Sequence, residues 1–174
     1  MIADRMKKVQ ASITLAIDAK AKQMIAEGVD LVGFGAGEPD FNTPDNIKVA
    51  GIKAIIDNKT KYTPSSGMPD LKNPIAKKLL EDNKLEYKPA NIIVSCGAKH
   101  SLYNIFMAGI NPGDEVIIFS PYWVSYVEMV NMAQGIPVLV QLDESKKFEI
   151  DFELLKSKIT KNTKMMIINS PSNP

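Results

Sequence analysis

From Asn91 onward the chain alternates short β-branched apolar runs with amphipathic stretches, and this rhythm constrains the fold more than any other feature. Ile92-Ile93-Val94-Ser95, Glu115 to Phe119, Ile136 to Leu142 and Lys164 to Asn169 read as strands. Ala98 to Gly109, Trp123 to Ala133 and Phe152 to Lys158 read as helices, the last capped by Asp151, and Asn111-Pro112-Gly113-Asp114 reads as a turn. Strands separated by helices predict an α/β fold with a mostly parallel sheet and right-handed crossovers. Such sheets bind ligands at the carboxyl ends of their strands. Those ends carry Ser95-Cys96-Gly97, Ser120-Pro121-Tyr122-Trp123 and Asn169-Ser170-Pro171-Ser172-Asn173, three loops expected to converge on one edge.

The front of the chain is less regular. Residues 1 to about 18 read as an extended arm, followed by a helix over Ala19 to Glu27 that Gly28 closes. Leu31 to Phe34 is expected as a short strand entering the Gly- and Pro-rich loop Gly35 to Phe41. Thr43-Pro44-Asp45 starts a helix ending near Asn58, with Ile47, Ala50, Ala54 and Ile55 on one side. After a loop over Lys61 to Pro69, a helix over about Asp70 to Asn83 is expected to turn Leu71, Ile75, Leu79 and Leu80 inward. Pro74 inside it predicts a kink, or a start near Asn73.

Composition narrows the class. Hydrophobic residues make up 45% and charged residues 24%, enough apolar material for a sizeable core. The net charge is +1, and of the 21 basic residues only Arg5 is an arginine, so neither a nucleic-acid arm nor arginine-based phosphate recognition is expected. The single Cys96 excludes an internal disulfide and fits a reducing, cytoplasmic setting. The charged N-terminus is unlike a signal peptide, and no apolar run approaches the ~20 residues of a membrane span.

Several residues are suited to chemistry. In Ser95-Cys96-Gly97-Ala98-Lys99 a strand meets a small-residue turn and then a helix. The first amides of a helix lack internal partners, Gly97 and Ala98 leave the backbone bare, and Lys99 adds a positive charge, a setting for a phosphate. The same residues also make an ordinary strand-to-helix turn. Trp123, the only Trp, is either core or the flat wall of a pocket for an aromatic ligand. Asn173, flanked by two prolines, offers an amide that both donates and accepts, or is a simple turn residue. Gly37 sits in a loop whose amides suit a carboxylate, and Tyr62 either binds an anion or packs its loop. His100, the only His, reads as a surface helix residue and Cys96 as a small filler. Metal-ligand spacing, a Walker loop and a G-x-G-x-x-G fingerprint are absent from the sequence.

Taken in order, Ala36-Gly37-Glu38-Pro39-Asp40-Phe41, Lys59 to Pro64, Gly97-Ala98-Lys99, Asn111 to Val116, Ser120 to Tyr126 and Asn169 to Pro174 resemble the class I aminotransferases, the fold-type-I enzymes that use pyridoxal phosphate. The likeness is greatest to the bacterial aspartate aminotransferase subgroup. The resemblance implies a partial three-layer α/β/α sandwich plus an N-terminal arm. Residues 1–45 would be the arm and part of a small domain, and 46–174 the first part of a large cofactor-binding domain. It implies pyridoxal 5'-phosphate as cofactor, with Gly97, Ala98 and Lys99 at its phosphate, Trp123 stacked on its ring and Asn173 at its phenolic oxygen. Tyr62 would reach across a homodimer interface to the phosphate of the partner subunit's cofactor. Gly37 would meet the substrate α-carboxylate, near which Asn173 and Trp123 also lie, while Lys99 would hold a distal carboxylate and Thr14 would line that pocket. The arm segment Gln10 to Thr14 lacks the Pro common before its Ser, and the Asn73-Pro74 pair is unusual for the family.

The chain stops just after Asn173, so it reads as the front of a larger enzyme. The Schiff-base lysine, the acid at the pyridine nitrogen and the arginine for the α-carboxylate are expected later. No catalytic residue is therefore assigned within these residues, and the piece by itself is expected to be inactive. The implied reaction moves an amino group between an amino acid, with aspartate expected, and a 2-oxo acid, with 2-oxoglutarate expected. Alternatives are a prephenate or aromatic aminotransferase, or a truncated module that binds without catalysing. No nucleic acid, membrane or metal is implied.

Overall fold

The structure, a computed structural model, describes residues 2–35, 37 and 39–173. Ala36, Glu38 and Pro174 of the motifs quoted above lie outside the described residues. The chain divides into two compact units, one made of residues 1–12 and 96–174, the other of residues 13–95.

The first unit contains the predicted rhythm. Helix α4 (Ala98–Gly109) is followed by strand β1 (Glu115–Ser120), helix α5 (Ser125–Met132), strand β2 (Ile136–Gln141), helix α6 (Phe152–Lys158) and strand β3 (Thr163–Ile167); α1 to α3 belong to the other unit. The three strands are parallel, in the order β2-β1-β3. β1 is the central strand, and consecutive residues along it serve opposite faces. Val116 and Ile118 pack with Phe106 of α4, with Ile110 just after it and with Tyr126, Met129 and Val130 of α5. Ile117 and Phe119 pack with Val140 and with Leu155 of α6. One strand thus joins two helical layers, which is why it reads as an unbroken apolar run rather than an alternating one. The first residues of the sheet are pinned by Glu115, whose Oε2 accepts hydrogen bonds from Thr160 Oγ1 at 2.6 Å and Thr163 Oγ1 at 3.2 Å. The β1–β3 register shifts at this point, between Glu115 and Val116.

The N-terminal arm is not wholly extended. Asp4–Lys8 forms a 3-10 turn, and the Gln10 amide donates to Glu128 Oε2 of α5 at 3.1 Å.

In the second unit, helix α1 (Ile13–Ala26) begins six residues before the expected Ala19, because Thr14-Leu15-Ala16-Ile17-Asp18 contains no breaker. Helix α2 (Asp45–Ile56) starts where predicted, but without a side-chain cap, and Ile47 and Ile55 are exposed rather than buried within the unit. Helix α3 (Pro69–Asn83) runs through Pro74 and begins at Pro69 rather than near Asn73. Its inward stripe also differs from expectation. Leu71 and Leu80 are exposed, while Lys72 is buried and Ile75, Ala76 and Leu79 are half-buried, an i, i+3, i+4, i+7 face that begins with a lysine. A buried ammonium needs a partner, and Lys72 Nζ donates to Ser66 Oγ at 3.0 Å.

Two expected strands do not form. Leu31 to Phe34 and Ile92 to Ser95 have no ladder partner among the described residues. The Val94 amide donates to the Ser66 carbonyl at 3.1 Å instead. Apolar β-branched residues favour extended backbone, but a strand also needs a ladder partner, and neither segment has one among the described residues.

Candidate functional site

In the first unit the loops that leave β1 and β3 lie together. Between them opens a cleft of about 630 Å³, lined among others by Tyr122, Tyr126, Lys147, Phe148, Asn169 and Ser170. Such an opening belongs at the carboxyl ends of parallel strands, where the strands stop and the helices have not yet closed over them. Both loops open on a cis Ser–Pro peptide, Ser120-Pro121 and Ser170-Pro171. Trp123, Gly97, Ala98, Lys99 and Asn173 do not line this cleft.

Trp123 sits just before α5, where its carbonyl accepts the Tyr126 amide at 2.9 Å. The half-buried indole packs against the core cluster and meets the Tyr126 ring edge-on, with centroids 5.5 Å apart and planes at 90°. The Lys99 ammonium lies over the indole ring, 4.8 Å from its centroid. Lys99 is the second residue of α4, so this cation–π contact joins the α4 N-terminus to the loop after β1.

The α4 N-terminus itself is bare. Its N-cap is Gly97 at φ +82°, with no side-chain cap, and a Cβ built on Gly97 would meet nothing within 4 Å. A positive φ of this size suits glycine and strains most other residues. The exposed amides of Gly97, Ala98 and Lys99 have no acceptor among the described residues and stand at the positive end of the helix dipole. An anion with several oxygens matches that arrangement.

Asn173 is exposed, and its backbone amide donates to Asn169 Oδ1 at 2.7 Å. This bond folds the Ser170–Ser172 segment back on the end of β3. Sequence reasoning gave Asn169 no role, although Asn side chains in turns commonly bond nearby backbone. His100 is the exposed helix residue that the sequence predicts, and its Nδ1 accepts the Cys96 amide at 3.1 Å.

The remaining candidates lie in the second unit. Thr14 is exposed in the first turn of α1, on a helix rather than an extended arm. Gly37 is exposed, with nothing within 4 Å of an added Cβ. Tyr62 is fully exposed, so within this unit it packs against nothing. Its loop is held from behind, where Gly67 (φ +100°) lies so close to Val94 that a Cβ would come within 2.7 Å of Val94 Cγ2.

Beside the cleft two carboxylates are held below the usual aspartate range. Hydrogen bonds from the Ser145 hydroxyl (2.7 Å) and then the Ser145 amide (2.8 Å) depress Asp143. The Leu154 amide, helped by that of Glu153, both at 3.0 Å, depresses Asp151 at the start of α6. Among the described residues no group of three or more His, Cys, Asp or Glu side chains could hold a metal ion, and no helix is long and apolar enough to cross a membrane.

The chain is similar to known proteins along its whole length. It is 55% identical to an aspartate aminotransferase of Bacillus sp. (strain YM-2), with all of this chain and 44% of that enzyme covered. It is 53% identical to a probable aspartate/prephenate aminotransferase of Aquifex aeolicus, covering 99% of this chain and again 44% of the relative. Among solved structures, the aspartate aminotransferase from Thermus thermophilus with maleate superposes with a TM-score of 0.95 at 44% identity, over 100% of this chain and 46% of that one. The chain thus spans less than half the length of these relatives. Residues 29–174 match the model of the aminotransferase class I and II family, and the chain belongs to that family, whose members related to it here are pyridoxal-phosphate enzymes.

Proposed function

We propose that these 174 residues form the leading part of a longer homodimeric aminotransferase of the cytoplasm. The whole polypeptide moves an amino group between an amino acid, aspartate first, and a 2-oxo acid, 2-oxoglutarate first. The observation that carries this reading is the pairing of a bare α4 N-terminus with an indole capped by an ammonium group. Pyridoxal phosphate has a doubly charged tail and a flat heteroaromatic ring, and both halves find a matching surface here. The glycine at the N-cap adds room for the tail, since nothing stands where its Cβ would be.

When bound, that cofactor supplies the aldehyde carbon that takes the amino group and a ring that delocalises charge. This chain's own residues bind and orient. The Gly97, Ala98 and Lys99 amides receive the phosphate oxygens. Trp123 walls one face of the ring, and the Asn173 amide hydrogen-bonds its phenolic oxygen and lies near the substrate carboxylate. Gly37 offers its amide to the α-carboxylate, and Tyr62, exposed on its own unit, reaches the phosphate in the partner subunit. Lys99 holds the second carboxylate of a dicarboxylic substrate. The Thermus relative, solved with the dicarboxylate maleate, supports a two-acid preference. On this reading Lys99 serves the phosphate end of the site and is not the lysine that bonds the cofactor carbon. Residues 1–45 are then the arm and part of the small domain, and residues 46–174 open the large domain.

The name of the Aquifex relative favours prephenate as a second acceptor. The deciding assay supplies the full-length polypeptide with pyridoxal phosphate, aspartate and either 2-oxoglutarate or prephenate, and follows oxaloacetate. Aspartate-dependent oxaloacetate is expected with 2-oxoglutarate, and none with aspartate alone beyond one equivalent. Cofactor binding with no turnover on any amino donor would mark a binding module and overturn the proposal.

A further inference from the structure

We infer that His100 is a positioning residue for the phosphate seat at the start of α4; this rests on the reading of that helix end given above. The seat is a turn with little of its own to hold it. Gly97 has no side chain, takes a positive φ and leaves α4 without a conventional side-chain cap. Contacts with α4 fix it from the far side, among them a bond from the Ser101 hydroxyl to the Gly97 carbonyl at 3.5 Å. The Ser101 amide bonds the Gly97 carbonyl at 3.2 Å, and His100 Nδ1 accepts the Cys96 amide at 3.1 Å.

His100 is the third residue of α4, the position from which a Glu or Gln in a capping box reaches back to the backbone before the helix. The imidazole does the same work one residue further out. It satisfies the Cys96 amide and leaves those of Gly97, Ala98 and Lys99 for an anion. A glutamate at this position would set a negative charge against the incoming phosphate. A neutral imidazole that accepts at Nδ1, with its proton on Nε2, supplies the same bond without that charge. His100 therefore touches no ligand. It orders the donors that do.

The test uses the full-length polypeptide and measures equilibrium affinity for pyridoxal phosphate and for pyridoxal, which lacks the phosphate. His100→Leu is expected to weaken pyridoxal phosphate about tenfold, the scale of one hydrogen bond to a charge-binding turn, and to leave pyridoxal unchanged. His100→Gln, which keeps an acceptor at the capping-box position, is expected to restore wild-type affinity. Equal loss of both ligands in His100→Leu, wild-type binding by His100→Leu, or no rescue by His100→Gln would each overturn the inference. Gly97→Val, which fills the seat, separates the two readings. If it too leaves pyridoxal phosphate affinity unchanged, the seat lies elsewhere and the functional proposal falls with it. If it weakens binding while His100→Leu does not, only the role of His100 is lost.

Discussion

Replacing Gly135 by alanine should damage the first unit more than a single methyl suggests. Gly135 joins α5 to β2 and lies in the angle between three groups. A Cβ built on it falls 2.8 Å from Ile110 Cγ2, 3.0 Å from Val130 Cγ1 and 3.1 Å from the Asp114 carbonyl oxygen. Carbon atoms in comfortable contact stand about 3.5–4.0 Å apart. Moving away is difficult for each neighbour. Val130 is fully buried and Ile110 nearly so. The Asp114 carbonyl accepts the Ile136 amide at 2.8 Å, the bond that leads β2 into the sheet, and the Gly135 amide is itself bound to the Val130 carbonyl at 3.0 Å. With core side chains on two sides and backbone on the third, the cost should reach the upper part of the overpacking range, about 2–3 kcal/mol. Urea denaturation followed by the emission of Trp123, which packs on the same cluster, reads this directly. Val130→Ala removes one of the three obstacles, so the double variant should lose at least about 1 kcal/mol less than the two single losses added together. A Gly135→Ala midpoint within about 0.5 kcal/mol of wild type, or strict additivity in the double variant, would refute the reasoning.

Trp123→Ala in the full-length polypeptide should weaken pyridoxal phosphate by about 1 kcal/mol beyond any loss of fold stability, the value of one aromatic stack; a spectrophotometric titration that finds unchanged affinity removes the indole from the site. Lys99→Ala should lower kcat/KM for aspartate more than for alanine, and an equal fall for both donors would deny it a role at the distal carboxylate. The 174-residue chain alone should catalyse no transamination, and turnover by the purified piece would contradict the proposal. Asp143 and Asp151 both have depressed folded pKa values, so the stability they contribute is fully present above the ordinary aspartate value of ~3.9 and is lost as pH falls through the folded values. The advantage of wild type over Asp151→Asn in thermal melts should therefore be steady near neutrality and fade only in strong acid; an advantage independent of pH would exclude the charge as its source.

The elements of the first unit were legible because their signals are local and agree with their packing. Val116 to Phe119 and Met165 to Ile167 are β-branched or apolar runs between clear turn residues, and Asp151 caps α6 through its own side chain. The second unit was read less well, because what decides it is not local. Ile92-Ile93-Val94 has the composition of a strand, but composition supplies no partner. Lys72 looks like a surface residue until Ser66, six positions earlier, is found beneath it. The start of α1 was missed because nothing in the arm marks a boundary, so a helix former continues until the chain turns. At the site, glycine and lysine at a strand-to-helix turn were enough to suggest an anion. The Lys99–Trp123 contact was not foreseen, since it joins a helix start to a loop 24 positions later that only tertiary packing brings to it. His100 is on the surface as expected, but its bond is to backbone, and a sequence does not advertise which amide a side chain will find.

The strand that ends in the middle of the sheet is the first of the three to be synthesised. As it leaves the ribosome, Glu115–Ser120 has two open edges and two greasy faces, and neither flank has yet emerged. One edge closes when Ile136–Gln141 emerges; the other stays open until Thr163–Ile167 follows. A ribosome paused between those points therefore displays a sticky, half-made ribbon, so slow codons in that interval should favour aggregation and fast ones should protect the nascent chain.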